Sequence, residues 1–123
     1  MNRMWALLIV LAICVPAIAQ SKGAKSSGPD CGGGWPTNMT FGHLKNAGLV
    51  DNVSVDFSKT KTVRLASKKI SKDLWHQVYH VTFTKTSGEV IEAIAIHDAL
   101  SEECSMTGVE VFVISRHLNP EGK

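Results

Sequence analysis

The 123-residue sequence lacks an apolar run long enough to span a membrane comfortably. A transmembrane helix needs about 20 such residues, and the apolar stretch ALLIVLAICV covers only Ala6 to Val15. Strong charge of either sign is missing too. Thirteen Lys and Arg against eleven Asp and Glu give a net charge of +2. That balance argues against a nucleic-acid binder, which carries a concentrated basic face. Basic residues gather only between Lys59 and Lys72, where a solvated strand and turn explains them better than an anionic-partner site. Histidines and cysteines form no compact metal-binding cluster. No serine sits in a nucleophile elbow. The GGGW stretch at Gly32 to Trp35 lacks both the Lys-Ser/Thr element and the preceding strand of a phosphate loop. Its glycines suit a chain reversal beside Cys31, with Trp35 plugging the end of a core. No internal repeat is present.

What the N-terminus does contain reads as an export signal. Arg3 supplies a positive n-region, the apolar stretch follows, and Ala17-Ile18-Ala19 fits the small-x-small cleavage rule. The expected mature start is Gln20. Cleavage removes 19 of the 123 residues, leaving 104, and removes Arg3, so the net charge falls to +1. LAIC at Leu11 to Cys14 is a poor lipoprotein site, because Ile13 stands where a small residue is wanted. A chain of about 100 residues is one domain with a modest core. Cys14 leaves with the signal, so Cys31 and Cys104 remain and are expected to pair in an oxidising compartment. The sequons at Asn38 and Asn52 are chance matches in a chain whose short leader has a bacterial form.

The expected organisation is a signal peptide at 1–19, a flexible leader at 20–34, a single α+β domain at 35–118 and a tail at 119–123. The leader is rich in Gly, Ser and Lys and holds too little apolar surface to order itself. Thr37 or Asn38 is placed to cap a short helix over Thr37 to Ala47. Met39, Phe41, Leu44 and Ala47 recur near helical spacing, and Gly48 is a stop. Gly42 inside that helix costs about 1 kcal/mol against alanine. The apolar period then changes to two. Val53, Val55 and Phe57 read as one strand, and Val63 and Leu65 as another. KKISKD is a polar connection, two strands form a hairpin around Ser87-Gly88, and Val109 to Leu118 is the last strand. The fold class is therefore α+β: one short helix packed on a four- to five-stranded antiparallel sheet, with one disulfide.

The hairpin turn sets the register. KTSGE suits a three-residue loop, Thr86-Ser87-Gly88, with Gly88 in the left-handed position and Lys85 facing Glu89. Phe83 then pairs with Ile91, Val81 with Ala93, Tyr79 with Ala95 and Gln77 with His97. Trp75, Tyr79, Val81, Phe83, Ile91, Ala93 and Ala95 share the core face. It is large on one strand and small on the other, as a crossing helix requires. The opposite face carries His76, Val78, His80, Thr82 and Thr84 beside Val90, Glu92, Ile94, Ile96 and Asp98. A two-residue turn would set Tyr79 against Ile94 and His76 against His97. It mixes the faces and ranks lower.

Three chemistries are open to that second face. His76 and His80 lie about 13 Å apart on a strand, so they cannot chelate one metal ion together. A site would need Asp98 or His117 from other strands, and no metal or other cofactor is assigned. His76 opposite Asp98 could orient an imidazole, but a nucleophile is missing. A cross-strand ion pair worth under about 1 kcal/mol accounts for the two residues more simply. Glu102 and Glu103 read as a solvated loop edge. Binding is the remaining chemistry. His76, Val78, His80, Glu92, Ile94, Ile96 and Asp98 form an apolar strip rimmed by His, Thr and acid, and a strip left uncovered marks an interaction surface.

The segment VRLASKKISKDLWHQVYHVTFTKTSGEVIEAIAIHDALSEECSMTGVEVFVIS resembles small exported proteins of unassigned function from Burkholderia and related bacteria. The likeness covers about Trp35 to Leu118 and implies location and single-domain character, with no catalytic motif to transfer. Periplasmic lysozyme inhibitors offer a fold-level analogy only. Some carry a Ser-Gly-x-x-Tyr loop, and SGEVI has Ile91 where tyrosine stands. The resulting expectation is a periplasmic or secreted binding or inhibitor-type protein whose partner is a protein or envelope component. The alternatives are a small hydrolase using the His76–Asp98 pair and a self-associating envelope protein.

Overall fold

The computed structural model of the chain describes residues 28–114. The expected signal peptide, leader residues 20–27, His117 with the end of the last expected strand, and the tail lie outside the described residues. Within them, helix α1 (Trp35–Asn46) precedes four strands: β1 (Lys61–Ser71), β2 (Leu74–Thr84), β3 (Val90–Ala99) and β4 (Glu110–Val113). The strands form one antiparallel sheet in the order β1-β2-β3-β4. The expectation of an α+β fold with a four- to five-stranded sheet holds, with four strands among the described residues.

The helix begins two residues before the expected start. Gly34 occupies the N-cap with no side-chain cap, and Pro36 sits in the first turn, where its fixed φ favours the helix and its missing N–H costs nothing. Thr37 does not cap. Its hydroxyl lies 2.6 Å from the Thr62 hydroxyl and ties the helix to β1 instead. At the other end Gly48 is the expected stop. Its φ of +75° permits a left-handed turn in which Leu49 N–H donates to the Leu44 carbonyl and Gly48 N–H to the Lys45 carbonyl. The helix buries Pro36, Thr37, Thr40 and Leu44, while Met39 and Phe41 are only partly covered and Ala47 is exposed. Thr40 tolerates complete burial because its hydroxyl donates to the Pro36 carbonyl one turn back, 2.6 Å away.

The expected strand through Val53, Val55 and Phe57 does not form. The Asp51 carboxylate accepts from Val53 N–H at 2.8 Å and Ser54 N–H at 2.7 Å, which folds the chain into a turn. Asp56 accepts from Ser58 N–H and starts a 3₁₀ turn over Phe57–Lys59. Local carboxylates thus take the N–H groups that a ladder would need. Only Val55 bridges the sheet, opposite Lys85. The KKISKD connection is corrected as well: β1 continues through Lys68, Lys69 and Ser71, paired with His76, Trp75 and Leu74. Lysines along an outer strand discourage pairing with other chains, and Lys69 also sets its ammonium 5.3 Å from the Trp75 ring centre.

The β2–β3 register is the one the turn implies, with His76 opposite Asp98, Tyr79 opposite Ala95 and Phe83 opposite Ile91. Gly88 has a φ of +93°, and Lys85 Nζ lies 3.1 Å from Glu89. Tyr79, Val81, Phe83, Ile91, Ala93, Ala95 and Ala99 are buried on the helix side. The helix crosses β2 and β3, where alanines on β3 leave room for it. Trp35 closes one end of this core, and its indole N–H donates to the Thr107 carbonyl.

Cys31 and Cys104 form a disulfide across 73 residues of sequence. The end of the expected leader is therefore ordered, contrary to expectation for residues 28–34. Cys31 is buried, and its N–H donates to the Tyr79 hydroxyl. The Pro29 carbonyl accepts from Arg64 and from Gln77, each at 2.7 Å. Composition alone could not show this, because the ordering groups lie on β1 and β2.

Candidate functional site

The face of the sheet turned away from α1 carries all seven of the expected binding residues. Alternation along β2 and β3 puts His76, Val78 and His80 beside Asp98, Ile96 and Ile94. Two cross-strand contacts fix the histidines. His76 Nδ1 lies 2.6 Å from Asp98 Oδ1, and His80 Nε2 lies 3.1 Å from Glu92 Oε1. The second is a close approach without hydrogen-bond alignment, since His80 Nε2 has no hydrogen-bond partner among the described residues. The first is half open to solvent on the His76 side, where such a pair contributes under about 1 kcal/mol.

The outer strands extend this face beyond the hairpin. Val63 pairs with His80, and Phe112 with Ile94. One row thus runs Val63, His80, Ile94, Phe112 across all four strands. Ala66, Val78, Ile96 and Glu110 make the next row. Val63 is 54% exposed, Phe112 50% and Ile114 48%. No described helix or loop covers them. The sequence did carry the signal for Val63 and Phe112, because both continue the period-two alternation. What it lacked was the pairing that puts them in register with Ile94. The rim is charged unequally: Lys61 and Lys68 stand on β1, while Glu92, Asp98 and Glu110 stand on β3 and β4.

Comparison with protein-family models, with curated proteins and with solved structures finds no match for this chain. The face must therefore be read from its own chemistry. Among the described residues, no three His, Cys, Asp or Glu side chains converge on a point where a metal ion could sit. No described helix is long and apolar enough to cross a membrane. Two concave regions lie elsewhere. One, of about 670 Å³, is bounded by Asp30, Thr37, Phe41, Phe57, Thr62 and Phe83. The other, of about 390 Å³, lies between the end of α1 and β4. Neither includes His76 or Asp98.

His97 belongs to the opposite, buried side. It is 2% exposed, and its Nδ1 lies 3.0 Å from the Cys104 carbonyl. A carbonyl only accepts, so Nδ1 carries the proton and Nε2 is a lone pair without a partner among the described residues. Burial holds the His97 imidazole below its ordinary value, against the weaker opposing pull of the Cys104 carbonyl and Asp98. The unfolded chain therefore takes up a proton more readily than the folded one. The stabilisation is complete above the ordinary histidine value of about 6.5 and is lost as pH falls below it. Melting temperature should fall between neutral pH and pH 5, and His97→Gln should flatten that part of the profile. An unchanged slope in the variant would assign the effect to other groups.

Proposed function

We propose that this chain is an exported, periplasmic binding or inhibitor-type protein that docks another protein through the open face of its sheet. The observation that supports this most is the apolar row Val63, Ile94 and Phe112, of which Val63 and Phe112 are about half exposed among the described residues. Apolar surface of that kind in a small domain usually serves an interaction. Docking is favoured over hydrolysis by the two concavities described above, since their walls include neither His76 nor Asp98. The disulfide is compatible with an oxidising compartment, and the N-terminal sequence has the form of an export signal.

A second copy of the chain is a further reading, favoured by the unequal rim. A two-fold axis parallel to the strands would lay β1 of one copy over β4 of the other. Lys61 and Lys68 would then approach Glu92, Asp98 and Glu110 of the second molecule.

Ile94→Asp tests the docking face. The aspartate would sit on the half-buried open side, so the fold should survive. Capture of envelope proteins from the native host should be abolished. Retained capture with an intact fold would refute the assignment. Light scattering across a wide range of concentration separates the two partners: a mass that rises in the parent and not in Ile94→Asp identifies a second copy.

A further inference from the structure

On the helix side of the sheet, away from the docking face, a cleft of about 670 Å³ opens between α1, β1 and the 3₁₀ turn. That volume lies in the range of small-molecule sites. Three phenylalanines from three separate segments line it. Phe83 of β2 is buried, while Phe41 of α1 meets it with ring centres 5.8 Å apart. Phe57 meets Phe41 at 5.0 Å and is still 51% exposed. Edge-on aromatic surface left half open in this way is an apolar seat without an occupant among the described residues.

The polar side of the cleft is equally specific. The Thr37 and Thr62 hydroxyls lie together on one wall. Thr60 is also on the wall, and its hydroxyl is buried with no hydrogen-bond partner among the described residues. A buried hydroxyl left unpaired is destabilising. A turn about χ1 would let it bond to a group in the cleft. Asp30 stands at the rim and is the one charged side chain among the described lining residues. No Lys, Arg or His joins it there, so anions find no counter-charge.

We propose that this cleft binds a small amphipathic cation, with a ring-sized apolar body against Phe41, Phe57 and Phe83. Its ammonium lies toward Asp30 and the threonine hydroxyls. The site is independent of the docking face, because Thr62 and Phe83 point to the opposite side of the sheet from Val63 and Ile94.

Phenethylamine and phenylacetate share a ring and differ in charge, which makes them suitable probes. Titrated into the ¹⁵N-labelled full chain, phenethylamine should saturably shift the amide signals of Gly32, Gly33, Thr60 and Thr62. Phenylacetate should bind about fivefold more weakly or worse, as expected for one exposed carboxylate acting on two opposite charges. Asp30→Asn should narrow that gap. Asn38 is exposed at the mouth, so Asn38→Trp should block binding at an unchanged melting temperature. Gly33→Leu offers a second block, because a β-carbon there meets nothing within 4 Å. Absence of saturable shifts, equal affinity for the two probes, or binding that survives both blocks overturns the proposal.

Discussion

Replacing Cys104 with serine should lower the melting temperature by roughly 20 °C. The disulfide to Cys31 closes a loop of 73 residues. In the chain-entropy description, a loop of that length withholds about 4 kcal/mol from the unfolded state. A domain of this size has only about 5–15 kcal/mol of net stability, and each kilocalorie moves its midpoint by about 4–8 °C. The native side of the balance works in the same direction. Cys31 is buried against the core, and the Cys104 carbonyl accepts a hydrogen bond from His97 Nδ1–H. Without the bond, residues 28–34 lose their covalent anchor to the β3–β4 loop. Differential scanning calorimetry of the parent and of Cys104→Ser measures the effect directly. An unchanged midpoint would show that the remaining contacts of Cys31 suffice and that the disulfide does not clamp the fold.

The hairpin was the most legible part of the sequence, for a physical reason. Gly88 was recognisable as a left-handed position, and a turn of fixed length sets every pair in a two-stranded ladder. One residue therefore placed His76 opposite Asp98 and faced Ile91 inward. The helix was legible at its end, where Gly48 leaves a clear mark, and less so at its start. There the cap is a glycine, and the buried stripe runs through Thr37 and Thr40. Threonine looks solvent-facing until its hydroxyl is seen bonded at Pro36 or Thr62.

The region before β1 misled because Val53, Val55 and Phe57 alternate like a strand. Asp51 and Asp56 occupy the N–H groups of Val53, Ser54 and Ser58, and Val53 ends 86% exposed. Their bonds to those N–H groups and to Ser54 and Ser58 also hold both carboxyls below their ordinary values. The candidate face was half legible. Its hairpin half follows from the turn, while Val63 and Phe112 depend on pairings with β1 and β4 that no local pattern specifies. The cleft was not legible at all, because its walls come from five separate segments.

Tyr79→Phe should cost about 3 kcal/mol although it removes a single oxygen. Tyr79 is fully buried, and its hydroxyl serves two partners. It accepts from Cys31 N–H at 2.9 Å and donates to Gln77 Oε1 at 2.9 Å. Burial raises the Tyr79 hydroxyl above its ordinary value, which favours the neutral, donating form. The orientation of Gln77 follows, because its Nε2 must face the Pro29 carbonyl and the Ser67 hydroxyl. Phenylalanine fills the same space and leaves Cys31 N–H and Gln77 Oε1 stranded, each costing about 1–3 kcal/mol. Hydrogen exchange should report the loss first at the amides of residues 30–32.

The informative experiment pairs this change with Cys104→Ser. The disulfide and the Tyr79 bond hold the same residue, Cys31. Once one anchor is gone and the segment loosens, the other has less left to hold. The double variant should therefore lose less than the sum of the single losses, by about 1 kcal/mol or more, as expected for directly coupled neighbours. Strict additivity in denaturant melts would show instead that the two anchors stabilise separate parts of the domain. In that case the ordering of residues 28–34 rests on the Arg64 and Gln77 bonds to Pro29.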